Sequence, residues 1–559
     1  MNSPKPALVT QRAAKRLPRI PLLLLCAAYV LPGVFGRDPW RNADLTAFGQ
    51  MVAIADGRTP WWAPTLGQVP ADTALVTHWL GAAFIWLTSG WLDPALAARI
   101  PFALLLALTM SLVWYTSFHL ARTEAAQPVP FAFGGEAAPI DYARAIADGS
   151  VLALIATLGL LQLGHETTPE LGQLFATGLF SYALAAAPYR VLRSRVAILI
   201  ALPLLAGSGA PSMAMAAGLA GLLVCALSRY AQVRSFTIWL AVSMALAALI
   251  ANVFGAWRWR TSELASLDIP ALARQWLWFL WPAWPLALLT LWRWRRQVAH
   301  RHLSVPLTTV LVALGANVAM GGSDRALLLG LPGLAVLAAF ALPTLKHSAA
   351  AAIDWFSMVF FTVFAGAGWV IYASVQTGIP AQPAANVARL APGFVAQFSI
   401  GALVLALTAT LAWIWLLYWR TSRQREALWR SLVLPASGVA LCWLLVMTLG
   451  LRLADYARSP RPLVALLTTR IPADVCIAAP GLSPVMVAAL EYFGGWQVDA
   501  RAGAVDGVCP VLLSIERGSV QAAPPKPAGW SRATVLQHPT DRDETILIYR
   551  RATSRTTSP

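Results

Sequence analysis

From residue 20 to about residue 450 the chain alternates between apolar runs and short polar connections. The runs fall at 20–35, 101–120, 150–164, 171–188, 196–205, 212–227, 236–255, 275–291, 305–320, 326–342, 353–374, 393–419 and 432–449. Crossing a bilayer as a helix takes about 20 apolar residues. Lipid offers backbone groups no water, so spans are helices or closed barrels, and the short alternating strands of a barrel are absent here. The pattern predicts an α-helical polytopic membrane protein of about 13 transmembrane helices. A further apolar stretch, 75–92, carries Trp79, Trp86 and Trp91 and is expected to lie along the membrane surface.

After residue 451 the pattern changes. Strands are predicted at 474–479, 496–500, 511–516 and 545–550, with a helix over 483–493 that has Ser483 as its N-cap and Gly494-Gly495 beyond its end. The chain therefore divides into a membrane domain (1–451), a small α/β domain (452–552) and a disordered tail (553–559).

Composition agrees with this. The chain is 58% hydrophobic, with mean hydropathy +0.61. Only 12% of residues are charged, about half the share of a soluble protein. The net charge of +17 does not point to nucleic acid, because the basic residues cluster between apolar runs. Lys5, Arg12, Lys15, Arg16 and Arg19 precede the first run like the head of a signal peptide, but they read as the cytoplasmic flank of an uncleaved first helix. Later clusters (Arg190/Arg193/Arg195, Arg229/Arg234, Arg293–Arg301, Lys346, Arg420–Arg430) then all fall inside. The loop 37–78, the turns at 164–170, 257–260 and 321–325, and the C-terminal domain fall outside. Cys26, Cys225 and Cys442 lie in apolar runs, whereas Cys476 and Cys509, in the outer domain, could form a disulfide.

Candidate chemistry gathers on that outer face. Asp44 suits a general base toward an acceptor hydroxyl, a ligand to a divalent cation, or a helix cap. His165, Glu166 and Glu170 put an imidazole and two carboxylates in one short turn between spans, where ionisable residues are functional candidates; Glu170 equally suits a helix start. Gly321-Gly322-Ser323-Asp324-Arg325 puts glycines and a cation at a helix start, which suits an anion, or else a plain Asp–Arg pair. Arg258, Arg260 and Arg274 offer further phosphate contacts, or interfacial anchoring beside Trp257 and Trp259. A carboxylate and cations at one membrane face suit a reaction on a lipid-linked phosphate.

Three stretches resemble the GT-C glycosyltransferases, in particular bacterial members related to protein O-mannosyltransferases and the lipid A aminoarabinose transferase. They are Asn42-Ala43-Asp44-Leu45 through Pro60-Trp61-Trp62-Ala63-Pro64 to His78-Trp79-Leu80; Ala98-Arg99-Ile100-Pro101; and Ser323-Asp324-Arg325 through Leu331-Pro332-Gly333-Leu334. The resemblance implies sugar transfer, with inversion, from a polyprenyl (undecaprenyl) phosphate donor at the periplasmic side of the bacterial inner membrane. The acceptor would be lipid A, another envelope glycan or a protein. Asp44 would be the catalytic aspartate of the first loop and Glu170 the acid of the second outer loop, supported by His165, Glu166 and His78. Arg325, with Arg258, Arg260 and Arg274, would hold the donor phosphate, and Asp44 with Glu170 would hold any divalent cation (Mg or Mn). The sequence departs from the family in having Leu45 after Asp44, where a Glu is common, and Asp72-Thr73-Ala74 where many relatives have Lys-Pro-Pro. Alternatives from other classes are a transporter or flippase of a lipid-linked substrate and an inactive GT-C relative.

Overall fold

The computed structural model describes residues 7–228, 230–257, 268–421, 427–517, 528–537 and 544–551. Arg229, Arg258, Arg260, Arg423, Arg425 and the tail beyond 551 lie outside the described residues.

The chain enters through a packed segment in which Ala7 and Val9 are buried. Its backbone pairs with the loop at 129–137, through Val129 N to Ala7 O and Ala137 N to Val9 O. Helix α1 (Arg19–Val30) leads to the first loop, which holds α2 (Ala43–Ala55), the two-residue strands β1 (Thr65–Leu66) and β2 (Val69–Pro70), and α3 (Leu75–Leu87). Then come α4 (Pro94–Ala121), α5 (Pro139–Ala156), α6 (Leu158–Leu163), α7 (Pro169–Ala186), α8 (Val191–Gly207), α9 (Pro211–Ala226) and α10 (Ala231–Val253). Proline sits in the first turn of α4, α5, α7 and α9, where its missing N–H leaves no intrahelical bond unmade. Asp93 caps α4 by accepting from Ala95 N (2.9 Å) and Leu96 N (3.2 Å).

The second half holds α11 (Ile269–Phe279), α12 (Ala283–Arg293), α13 (Arg301–Ala319), α14 (Asp324–Leu328), α15 (Leu331–Ala339), α16 (His347–Thr377), α17 (Ala381–Leu390), α18 (Ile400–Thr421) and α19 (Arg430–Thr448). Among the described residues, six helices (α4, α10, α13, α16, α18 and α19) are long and apolar enough to cross a membrane by length and composition. Helices α16 and α18 bury little of their surface, as lipid-facing helices should, whereas α5 and α15 are buried along most of their length. Helix α15 packs against α5, α12 and α13 at the centre.

Three expected spans are interrupted, the run at 326–342 being split between α14 and α15 at Leu329-Gly330. The run at 150–164 belongs to a longer helix that starts at Pro139 and breaks at Thr157. The start was obscured by Asp141, Arg144 and Asp148, but Asp148 is buried and accepts from Leu17 N (2.8 Å) and Trp114 Nε1 (2.8 Å). The run at 275–291 breaks at Trp281-Pro282, where proline supplies no N–H. The latter two breaks lie together: Leu158 N donates to Trp281 O (2.9 Å), so each helps satisfy the other's backbone.

The C-terminal part opens with α20 (Leu451–Arg458) and α21 (Arg461–Thr468), followed by β3 (Cys476–Ala478), α22 (Pro484–Phe493), β4 (Gln497–Asp499), β5 (Val511–Arg517), β6 (Trp530–Gln537) and β7 (Glu544–Arg551). The sheet order is β4-β3-β5-β7-β6, with β3 parallel to β4 and β5, and β7 antiparallel to β5 and β6. Strand β6 escaped the sequence reading: it is an edge strand whose outer positions are polar, so its alternation is weak. Ser483 takes the N-cap position of α22 without a side-chain bond. Cys476 and Cys509 are joined, with Cα atoms 4.9 Å apart.

This domain is held on the first loop by close helix packing. A Cβ on Gly49 of α2 would lie 2.6 Å from Ala488 Cβ of α22. Arg58 reaches Glu491 (2.8 Å), and Glu491 also accepts from Gly67 N (3.1 Å). Gly49→Leu should therefore force α22 off α2, destabilising the protein by about 1–3 kcal/mol. The check is the melting temperature in detergent and the rate of proteolysis within 470–551; Gly401→Ala, which meets nothing within 4 Å, should change neither.

Candidate active site

Asp44 lies in the first turn of α2, where a negative charge complements the helix dipole. Its Oδ2 accepts from Trp40 N (3.1 Å) and Arg37 Nη2 (3.3 Å). Its Oδ1 accepts from Thr167 N (2.7 Å) and Thr167 Oγ1 (2.6 Å). The carboxylate is 1% exposed and the Arg37 side chain 0%. Arg37 also donates to His165 O (2.8 Å), and Arg99 of α4 is buried close by. Burial by itself would push the Asp44 carboxyl up, but the charges of Arg37 and Arg99 and the two Thr167 bonds outweigh it and hold the group below the usual carboxylate range. Asp44 thus ties the first loop to the 164–170 turn. Both of its oxygens are engaged by protein donors; Asn42 holds the N-cap position of α2, and Asp44 bonds to Trp40, Arg37 and Thr167 rather than to the first amides of its own helix.

The other sequence candidates are also engaged. Arg325 of α14 pairs with Glu166 (2.8 Å) and Glu170 (3.2 Å) and reaches Thr168 Oγ1 (3.3 Å). Glu166 also accepts from Gln162 Nε2 (3.0 Å). Burial, then the nearby Asp44 charge, push the Glu166 carboxyl above its usual range, while Arg325 opposes them. His165 is wedged between Leu161 O and Tyr29 O, each 2.7 Å from a ring nitrogen, and so fastens the turn to α1. His78 is buried within α3. Arg274 is exposed on α11, beside Gln275, which donates to Gly322 O (2.7 Å). Helix α14 has five residues, and its Arg325, partly exposed, pairs with two carboxylates. Asp44 is engaged by Arg37 and Thr167, and Glu170 by Arg325. Among the described residues, no group of three or more His, Cys, Asp or Glu side chains could hold a metal ion.

The open space lies next to this junction. A cavity of about 510 Å³ is lined by Asp38, Arg452, Asp455, Tyr456 and Arg461 along with Gly36, Phe394 and Gln397. Asp38 is clamped by Arg461, whose Nε and Nη2 each donate at 2.7 Å, and by Ser459 Oγ (3.0 Å). Asp455 Oδ1 accepts from Trp40 Nε1 (2.8 Å) and Asp38 N (3.3 Å). The Trp40 ring lies between the guanidiniums of Arg37 (4.7 Å) and Arg458 (5.0 Å). An apolar groove of about 1050 Å³ runs between α1, α16, α18 and α19 and shares Gly36, Phe394, Gln397 and Arg452 with the cavity. Sequence reasoning missed Asp38, Arg452, Asp455 and Arg461. The available signal was the amphipathic stretch Arg452-Leu453-Ala454-Asp455-Tyr456-Ala457-Arg458, which puts its polar residues on one face just after the last apolar run.

No protein-family model and no curated protein matches the sequence. Solved structures do. ArnT from Cupriavidus metallidurans bound to undecaprenyl phosphate superposes with a TM-score of 0.57 at 13% identity, over 95% of this chain and 98% of that one. Its apo state gives 0.59 at 13% identity, over 95% and 97%. This is the GT-C fold. The likeness spans both the membrane domain and the C-terminal sheet, so the GT-C architecture here is that of a multi-pass membrane protein with a small α/β domain on the face that carries the first loop. That face also carries the groove's polar end.

Asp44→Asn should leave Arg37 and Arg99 without their buried counter-charge, at a cost of about 3–5 kcal/mol. Because the folded pKa is lowered, the carboxylate's contribution is present above about pH 4 and is lost as pH falls through the lowered value. Thermal melts of wild type and variant between pH 4 and 8 should differ by a near-constant gap; equal melting temperatures would deny Asp44 this role.

Proposed function

We propose that the protein is a membrane glycosyltransferase that takes its sugar from an undecaprenyl-phosphate-linked donor at the periplasmic face of the bacterial inner membrane. The observation that carries this reading is the junction of the apolar groove with the polar cavity at Arg452. A polyprenyl phosphate is a long apolar chain ending in an anion. The groove offers it Leu24, Ala28, Leu31, Phe364, Gly368 and Leu405, and the cavity offers the Arg452 guanidinium where the chain would end. Arg452 makes no hydrogen bond or ion pair within the described residues, so its donors are free for a phosphate. The solved likeness to an ArnT that binds undecaprenyl phosphate supports the same class of ligand. The Cys476–Cys509 bond supports a face outside the cytoplasm.

The chemistry that follows is a single displacement with inversion. An acceptor hydroxyl attacks the anomeric carbon from the side opposite the phosphate. The carbon–oxygen bond to the phosphate breaks, and undecaprenyl phosphate leaves with the charge that Arg452 stabilises. The acceptor is a lipid, glycan or protein of the envelope that can reach the cavity from above the membrane. The broken spans would be the feature that suits a transporter. Their meeting point is filled, however: Gly159 lies against the Phe279 ring, and Leu158 is bonded to Trp281.

Purified protein in detergent, given a panel of undecaprenyl-phosphate sugars and a membrane extract, should release undecaprenyl phosphate. Arg452→Gln should raise the KM for the donor about tenfold or more, the loss expected for one charge-assisted hydrogen bond. Gly368→Trp, at a position with no neighbour within 4 Å, should fill the groove and abolish binding of undecaprenyl phosphate without unfolding the helix. Binding and release that ignore Gly368→Trp would overturn the groove assignment.

A further inference from the structure

We propose that the end of the bundle opposite the first loop carries a binding site for the headgroup of an anionic phospholipid, built from Arg122, Tyr189, Arg190 and Tyr230 around the buried Arg301. This site lies at the other face from the cavity at Arg452 and does not depend on the glycosyltransferase reading.

The direction of the helices places it. Helix α4 runs away from the first loop, and α7 runs away from the 164–170 turn that Asp44 holds. Helix α13 starts at Arg301 and runs back toward the turn before Arg325. The far end therefore gathers His119 and Arg122 at the end of α4, Tyr189 and Arg190 between α7 and α8, Tyr230 between α9 and α10, and Arg301.

Rings join these pieces. The His119 ring stacks on Tyr189, with centroids 5.5 Å apart and planes at 17°. The Arg122 guanidinium lies over the same tyrosine at 4.6 Å and over Phe118 at 5.4 Å. Arg190 follows Tyr189 and adds its charge near His119. Behind them stands Arg301, 6% exposed. It donates to Leu184 O of α7, while its Nε and Nη1 are buried and find no hydrogen-bond partner among the described residues. Its electrostatic neighbours are the Cys225 thiol and the hydroxyls of Tyr189 and Tyr230, which are uncharged at neutral pH. Among the described residues, neither Arg122 nor Arg301 pairs with a carboxylate.

Three cations thus gather without an anion. A buried guanidinium needs a counter-charge to offset its lost hydration, and here the chain supplies none. The Tyr189 hydroxyl lies within electrostatic reach of both Arg122 and Arg301, so an anion beside it is attracted from two sides. The donors open to that anion are the half-buried Arg122, the exposed Arg190, and the Tyr189 and Tyr230 hydroxyls. Guanidinium forks and hydroxyls are donors that suit a phosphate. Arg301 stays behind them and acts through its charge.

The surroundings favour a lipid over a free ion. Leu192 and Val196 of α8, Leu223 and Leu227 at the end of α9, and Ile238 of α10 are exposed apolar side chains on helices that leave this end. The acyl chains of a lipid held by its headgroup would lie along them. Basic pockets between transmembrane helices suit such headgroups. Phosphatidylglycerol, with one net negative charge, meets the unbalanced arginines; phosphatidylethanolamine, whose amine cancels its phosphate, does not.

The test uses delipidated full-length protein in detergent. Native mass spectrometry reads bound lipid, and thermal melts read stability. Phosphatidylglycerol should bind about tenfold or more tighter than phosphatidylethanolamine and raise the melting temperature, whereas inorganic phosphate at the same concentration should not raise it. Arg122→Gln with Arg190→Gln should weaken phosphatidylglycerol binding about tenfold or more, with the lipid-free melting temperature near that of wild type. Tyr189→Phe keeps the ring on His119 and should weaken binding about threefold. Gly368→Trp, in the groove of the proposed donor, should leave it unchanged. Equal binding of the two lipids, or phosphatidylglycerol binding that ignores both Tyr189→Phe and the double variant, would overturn the site. An equal rise in melting temperature with inorganic phosphate would overturn the lipid as its ligand. Loss of phosphatidylglycerol binding in Gly368→Trp would overturn the location and put that lipid in the groove.

Discussion

One buried carboxylate between two buried guanidiniums is the contact on which the site's geometry depends. Asp44 carries one negative charge and faces Arg37 and Arg99, with almost no water near any of them. Charges so placed are tolerated only when paired and hydrogen-bonded, because desolvation costs each several kcal/mol. Asp44 meets that condition with four hydrogen bonds. Two of them end on Thr167, which belongs to a different stretch of chain, and a third on Trp40 N. The junction therefore sets where the 164–170 turn lies and where Trp40 stands. Through Trp40 Nε1 it also sets the direction of Asp455.

The bilayer explains why this junction can be so elaborate in a chain with so few charges. Polar groups at depth must be satisfied internally, so irregular backbone is confined to the two faces or to places where breaks mend one another. The Thr157 and Trp281-Pro282 breaks are of the second kind. The rest of the irregular chain is pushed to the faces, and one face receives the first loop, the 164–170 turn, α14 and the segment after α19. Residues far apart in sequence meet there: Arg37 with His165, Arg41 with Glu544, Arg458 with Gln162.

The membrane architecture was legible because each span is announced by its own apolar run, and the alternation of basic clusters orders the runs. The breaks were less legible, since an apolar run does not show whether its helix is continuous. Most of the small sheet was legible from alternation and turn residues, and β6 was not, because its outer face is polar. The 164–170 turn stood out as a site because its charges are adjacent in sequence. The cavity did not, because Asp38 and Asp455 are 417 positions apart and meet only through the fold. Asp44 was conspicuous on the strength of its resemblance and its lone charge, yet sequence carries no record of what a carboxylate's lone pairs are bonded to. Its saturation by Trp40, Arg37 and Thr167 became visible only in three dimensions.

The same reasoning bears on two positions of the first loop. Leu45 is wholly buried in the core beneath the first loop. A carboxylate there would be a second buried charge, and its desolvation would have no dedicated partner to offset it. Asp72-Thr73-Ala74 gives that stretch of the loop no cation of its own. Arg452 supplies a cation from the other side, at the groove's mouth, on the helix that also carries Asp455. The first loop is the support that Asp44 locks in place and against which the helix bearing Asp455 is aligned.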